Sequence, residues 1–197
     1  MKKIIDLNKH VEKLYNTPSD INEHIPTILK YGQEVDHITE MGVRWVVSTY
    51  AWLACAPKKL ISYDLFNPSH WGADITPVED TAEAYGLDFE FIQADILKTE
   101  IDETDLLFID TWHAYDQLQA ELKMHASKVR KYIVFHDTTS FEFKDEPLHH
   151  ENSWGKETSG KGIWPAIEEF LEENKEEWKM KERFMNNNGF TIIERIK

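Results

Sequence analysis

Apolar residues in this chain occur either as short unbroken runs or as sets spaced at a helical period. The clearest case spans residues 105–137. Two apolar runs, Leu106–Ile109 and Tyr132–Phe135, flank a segment with apolar positions at Tyr115, Leu118, Leu122, Ala126 and Val129. That spacing is close to the 3.6-residue period of a helix. Strand, helix and strand in that order make a βαβ unit, whose strands run parallel. Each run stops abruptly at polar residues, the first at Asp110-Thr111-Trp112-His113 and the second at His136-Asp137. Parallel strands bring both polar ends to one sheet edge, where open α/β sheets bind their ligands.

The same pattern organises the rest of the chain. Residues 1–18 read as a peripheral helix or arm closed by Pro18, and a helix over Asp20–Tyr31 follows. Glu23 completes a capping box with Asp20, and Gly32 stands where a C-cap glycine belongs. Asp36–Met41 is a strand leading to Gly42, then Val47–Ala56 a helix stopped by Pro57. Lys59–Phe66 is a strand, Thr76-Pro77 opens a helix that Gly86 closes, and Phe89–Gln93 is a strand reaching Asp95. Ile163–Asn174 is an amphipathic helix. Trp178–Met185 and Phe190–Ile196 alternate across Asn186-Asn187-Asn188-Gly189 as a hairpin. Residues 138–162 show no period, and a loop of that length in a compact domain is either a functional lid or mobile. The expectation is one α/β domain: a helical arm over 1–35 and a core over 36–197.

Charge narrows the partners. A net charge of −14 over 197 residues argues against nucleic acid and against anionic membrane, both of which call for clustered Lys and Arg. The N-terminus has no apolar stretch of signal-peptide type, and no segment is long enough to span a bilayer. A single cysteine, Cys55, suits a reducing compartment. A cytoplasmic protein is expected, with Cys55 as a small buried residue and Trp164 and Trp178 as core.

Carboxylates recur at strand ends. In Asp36-His37-Ile38-Thr39-Glu40-Met41-Gly42-Val43-Arg44, an acidic residue stands two before a glycine at a strand-to-helix turn. Such a glycine lets backbone approach a ligand, and the helix start offers free N–H groups. Asp64 could accept ribose hydroxyls, and Asp95 repeats the pattern on the next strand. Singly, each is as well read as a solvated strand terminus. In succession they fit a nucleoside lying across the sheet.

From about Asp36 to Lys197 this arrangement resembles the class I S-adenosylmethionine-dependent methyltransferases. The resemblance implies a Rossmann-like three-layer sandwich with a mostly parallel seven-stranded sheet and a C-terminal antiparallel hairpin. Asp110-Thr111-Trp112-His113 followed by His136-Asp137 looks like the metal-dependent O-methyltransferases of the catechol, macrolide-sugar and cephalosporin-hydroxylase-like groups. By that resemblance Glu40 and Gly42 lie in the cofactor loop, Asp64 at the ribose and Asp95 near the adenine. Arg44, Ser48, Leu65, Ile96 and Asp110 complete the cofactor-binding set. His113 would be the general base, and Asp110, His136 and Asp137 the ligands of Mg²⁺ or another divalent cation. His136 stands where relatives carry an acidic residue. As a ligand it would favour Mn²⁺, Fe²⁺ or Zn²⁺; otherwise two carboxylates remain.

The implied reaction is methyl transfer from S-adenosylmethionine to a hydroxyl of a small molecule, on the sugar-modifying pattern a sugar, and a homodimer is compatible with the fold. An alcohol attacks only once its proton is removed, which suits an imidazole with an ordinary pKa near 6.5. Arg44 stands where many relatives have a second glycine. It could crowd the methionine moiety, or pair with Glu40 or with the cofactor carboxylate. A catalytically silent domain that binds S-adenosylmethionine as a partner subunit is the alternative. Phe141, Phe143 and Trp154 are candidates for covering the acceptor. His149-His150 read as solvated, as does the glutamate run at 168–177.

Overall fold

The computed structural model describes residues 2–147 and 158–197. Seven strands form one sheet: β1 (His37–Met41), β2 (Lys59–Asp64), β3 (Asp88–Gln93), β4 (Thr104–Ile109), β5 (Val129–His136), β6 (Trp178–Phe184) and β7 (Phe190–Arg195). Their order is β3-β2-β1-β4-β5-β7-β6. The first five run parallel and β7 is antiparallel to both neighbours. The chain reverses its direction of winding between β1 and β4, which opens a crevice at their carboxyl ends.

Alternate side chains point to opposite faces of a strand, and both faces here are covered. Ile38, Leu60, Leu106, Phe108, Val134 and Ile192 pack under α1 (Leu7–Tyr15), α2 (Ile25–Gly32), α3 (Val47–Ala54) and α4 (Thr76–Tyr85). Ile61, Leu107, Ile109, Ile133, Phe135 and Ile193 pack under α5 (Tyr115–His125) and α6 (Ile163–Glu173). The alternation of elements predicts an α/β domain, and the result is the three-layer sandwich that the methyltransferase resemblance implies. Among the described residues no helix is long and apolar enough to cross a membrane.

Two local expectations change. The helix expected over 20–31 is a 3₁₀ turn, Asn22–His24, followed by α2 starting at Ile25. Pro26 is the cause: it lacks an N–H and its ring would meet the carbonyl of the preceding turn, so an α-helix accepts it only in the first turn. The capping box at Asp20 is therefore absent. Gly32 is the last residue of α2 rather than a left-handed cap, and Gln33 caps in helical geometry. A Cβ at Gly32 would overlap Cys55 Sγ, so its smallness serves the packing of α2 on α3. Cys55 is a free thiol that burial pushes up to about 12.

Candidate functional site

The loop from β1 to α3 is shaped by backbone that few residue types adopt. Gly42 has φ +94, and a Cβ there would run into the Asp110 carbonyl, so the close approach of β1 and β4 requires glycine. Arg44 (φ +43) and Val46 (φ +60) are also left-handed, an outlier geometry for a β-branched valine. Asp64 holds this loop. Its Oδ2 accepts the N–H groups of Val43 at 2.8 Å and Arg44 at 3.0 Å, and its Oδ1 accepts Phe66 N–H at 2.9 Å. The Arg44 guanidinium lies over the Trp45 ring at 4.0 Å and reaches the Trp71 ring at 5.6 Å. It stacks there rather than pairing with Glu40, and Arg44 lines the cavity described below.

Glu40 is wholly buried beneath the loop. Ser48 Oγ (2.6 Å), Thr49 Oγ1 (2.8 Å) and Ser62 Oγ (2.6 Å) bond its carboxyl, and burial pushes its pKa up to about 7. At β3, Asp95 Oδ1 accepts Leu97 N–H at 3.0 Å, and Oδ2 lies 2.8 Å from Lys98 Nζ.

Across the crevice, the ends of β4 and β5 meet. His113 Nε2 lies 3.1 Å from Asp110 Oδ1 and 3.2 Å from Asp137 Oδ2, while Nδ1 lies 3.1 Å from Glu146 Oε2. Burial disfavours the imidazolium, but the bonds to Asp110 and Glu146 and the charge of Asp137 outweigh it and raise the pKa to about 10. Desolvation opposes the Asp110 charge, yet the two histidines hold its carboxyl well below the ordinary range. Burial raises Asp137, whose backbone is left-handed at φ +59.

His136 is buried, with Nδ1 3.1 Å from Asp110 Oδ1 and Nε2 3.0 Å from the Asp20 carbonyl oxygen. Both nitrogens are engaged, and its ring is turned towards the N-terminal segment. The groups able to hold a cation are instead Asp110, His113 and Asp137, whose ligand atoms all lie within 4.8 Å of one another. Asp137 Oδ1 is buried without a hydrogen-bond partner, as an oxygen reserved for a ligand would be. One imidazole and two carboxylates suit Mn²⁺ or Fe²⁺ as well as Mg²⁺.

A cavity of about 770 Å³ joins the two sides. Gly42, Arg44, Ser48, Asp64, Leu65, Asp95 and Ile96 line one part, and Asp110, His113 and Asp137 the other. Glu40 and His136 stay behind its wall. Asp20, Ile21, Trp45, Trp71, Trp112 and Glu146 also line it, and none of them is among the site residues expected from the sequence. Asp20 and Ile21 arrive from the N-terminal segment and Glu146 from the aperiodic loop, so no strand-end pattern marks them. Phe141 stacks on His113 (centroids 5.0 Å apart, planes at 9°), whereas Phe143 is 64% exposed and away from the cavity. His149, His150 and Trp154 fall outside the described residues. Trp164 and Trp178 are core.

No protein-family model and no curated protein matches the chain. Solved structures do. TomG, an O-methyltransferase of tomaymycin synthesis from Streptomyces achromogenes in complex with S-adenosylmethionine, superimposes with TM-score 0.59 at 12% identity. The match covers 100% of this chain and 92% of that one. A caffeoyl-CoA O-methyltransferase-like protein of Staphylococcus aureus gives 0.61 at 10% identity, covering 97% and 92%. The magnesium protoporphyrin IX methyltransferase of Synechocystis PCC 6803, with bound S-adenosylhomocysteine, gives 0.56 at 13% identity, covering 96% and 94%. The chain has the fold of the class I S-adenosylmethionine-dependent methyltransferases.

Proposed function

We propose that this chain, built on the methyltransferase fold, transfers the methyl group of S-adenosylmethionine to a hydroxyl of a small molecule. One observation carries the reading: a single cavity joins a glycine loop and strand-end carboxylates on one side to a proton-handling cluster on the other. At about 770 Å³ it falls within the range of small-molecule and cofactor sites.

The cofactor supplies an electrophilic methyl on its sulfonium. The residues of the chain supply position and proton transfer. Gly42 lets backbone approach the methionine moiety, Asp64 and Leu65 face the ribose, and Asp95 and Ile96 border the adenine. The acceptor hydroxyl lies against His113 Nε2. Because His113 Nε2 lies 3.1–3.2 Å from Asp110 and Asp137, the three titrate as a unit, and the acceptor's proton passes to this cluster, all of whose members line the cavity. Holding acceptor oxygen and methyl in line supplies much of the acceleration in such displacements. Were a divalent cation held by Asp110, His113 and Asp137, the neutral imidazole would serve it as a ligand, and the cation would lower the pKa of the hydroxyl in place of His113 as base. A sugar or similar polyol suits a cavity whose lining residues include Asp20, Asp110 and Asp137, since carboxylates accept hydrogen bonds from hydroxyls.

Calorimetry with S-adenosylmethionine and S-adenosylhomocysteine, with and without Mg²⁺ or Mn²⁺, tests the reading. Both ligands should bind, and Asp64→Ala should weaken both by about tenfold or more, since it removes the charged anchor of the loop and of the ribose. Radiolabelled methyl transfer to a panel of sugars and phenols should then fall by roughly a hundredfold or more in His113→Ala. Failure of either nucleoside to bind would sink the proposal.

A further inference from the structure

His113 is gripped from a part of the chain that carries no recognisable motif. Glu146 lies 33 residues downstream, yet its Oε2 sits 3.1 Å from His113 Nδ1 and also accepts the His113 backbone N–H at 3.3 Å. Its own N–H donates to the His113 carbonyl at 2.8 Å. The neighbouring Asp145 fixes the same segment. Its Oδ1 accepts the N–H of Tyr115, the first residue of α5, at 3.0 Å and that of Gly162 at 2.8 Å, while Oδ2 accepts Gly160 N–H at 2.8 Å. Phe141 lies parallel to the imidazole and blocks its tilting. On the other side of the ring, Asp110 and Asp137 both meet Nε2.

We propose that Glu146 is a positioning residue that holds the His113 imidazole by Nδ1, so that Nε2 faces the cavity between Asp110 and Asp137. The proposal rests on the reading of that cluster as the proton-handling end of a methyl-transfer site. The physical reason is geometric. An imidazole on one Cβ can rotate through its broad, roughly two-fold χ2 preference, which would exchange Nδ1 and Cδ2 against the wall. An acceptor oxygen at Nδ1 makes one orientation better by a hydrogen bond, and an outer carboxylate on a working histidine commonly sets which nitrogen acts. Without Glu146, Phe141 still stacks, and only the Nε2 contacts to Asp110 and Asp137 favour one ring orientation over the other.

The test uses the full chain labelled with ¹⁵N-histidine, with His113→Asn identifying the His113 signals. Glu146→Ala removes the acceptor, Glu146→Asp keeps the charge but is too short to reach, and Glu146→Gln keeps an oxygen at the same reach. The wild-type protein should show a His113 Nδ1–H proton protected from exchange. That signal should be lost in Glu146→Ala and Glu146→Asp and kept in Glu146→Gln. Diethyl pyrocarbonate modification of His113, followed by peptide mass spectrometry, should quicken by about tenfold or more in the first two variants and stay near wild type in the third. Should Glu146→Ala misfold, the Asp and Gln pair alone decides, because a charge-only role predicts Asp to behave as wild type. A protected Nδ1–H in Glu146→Ala or Glu146→Asp, or its loss in Glu146→Gln, would overturn the proposal. Calorimetry with S-adenosylmethionine on the same samples tells this apart from failure of the methyl-transfer reading. Absent cofactor binding removes the reaction, whereas the ring signals decide the role of Glu146.

Discussion

Glu40 shows how a residue that reads from its spacing as a cofactor contact can serve the site from behind. Among the described residues three hydroxyls bond it and no cation does, so neutral donors hold its ionised form. Its folded pKa of about 7 lies above the ordinary 4.5. Between these values the folded chain holds a proton that the unfolded chain has released. Stability therefore falls as pH rises through that window and levels off above it. At about 1.4 kcal/mol per pH unit the loss is roughly 3 kcal/mol. Glu40→Gln keeps the shape and removes the titration. Urea unfolding from pH 5 to pH 8 should show the variant gaining on wild type as pH rises, and parallel curves would contradict the assignment. Spacing marked Asp110, His113 and Asp137 because each stands at or just beyond a strand end, where direction is set by the sheet. It could not separate Glu40, whose alternation along β1 points it into the protein. Nor could it find Glu146, whose partner is 33 residues away and whose segment has no period.

Among the elements, the strands and the C-terminal hairpin were legible because burial imposes a period on them. The N-terminal segment was not, since its role depends on contacts far along the chain. Residues 19–24 are fastened to the β6–β7 turn. Asn187 Oδ1 accepts Glu23 N–H at 2.9 Å, and Asn187 Nδ2 donates to the Ser19 carbonyl at 2.8 Å. His24 Nε2 lies 3.0 Å from the carbonyls of Asn186 and Asn187. That fastening places Asp20 and Ile21 in the cavity wall and the Asp20 carbonyl over His136. The asparagine-rich turn thus does two tasks: its left-handed backbone reverses the chain, and its side chains dock a distant segment. Asn187→Gly preserves the first task, since glycine tolerates φ +44, and removes the second. Loss of two hydrogen bonds should cost about 1–3 kcal/mol and lower the thermal midpoint by several degrees. Amide exchange in residues 19–24 should quicken well beyond that of β4 and β5. Unchanged exchange there would show that packing of Ile21 and Ile25, rather than the turn, holds the segment.

At the scale of the whole molecule, charge is the property that sequence and structure read alike. The chain carries a net charge of −14, and its cavity is lined by Asp20, Asp64, Asp95, Asp110, Asp137 and Glu146 against Arg44, Lys98 and His113. A cleft lined with one sign of charge focuses the field and attracts a ligand of the other sign. S-adenosylmethionine carries a sulfonium charge that S-adenosylhomocysteine lacks, while the two share every other recognition group. The difference in their affinities therefore reports the field at the sulfur, provided the methyl lies towards Asp110 and Asp137. Salt screens the remote carboxylates, with a Debye length of about 30 Å at 0.01 M and about 3 Å at 1 M. Raising salt across that range should weaken S-adenosylmethionine more than S-adenosylhomocysteine, and a residual preference set by the nearest carboxylates should survive. Asp137→Asn should narrow the gap at low salt as well. A ratio of affinities that ignores both salt and Asp137 would place the sulfur away from the ends of β4 and β5, with the acceptor then approaching from the Trp45 and Trp71 side.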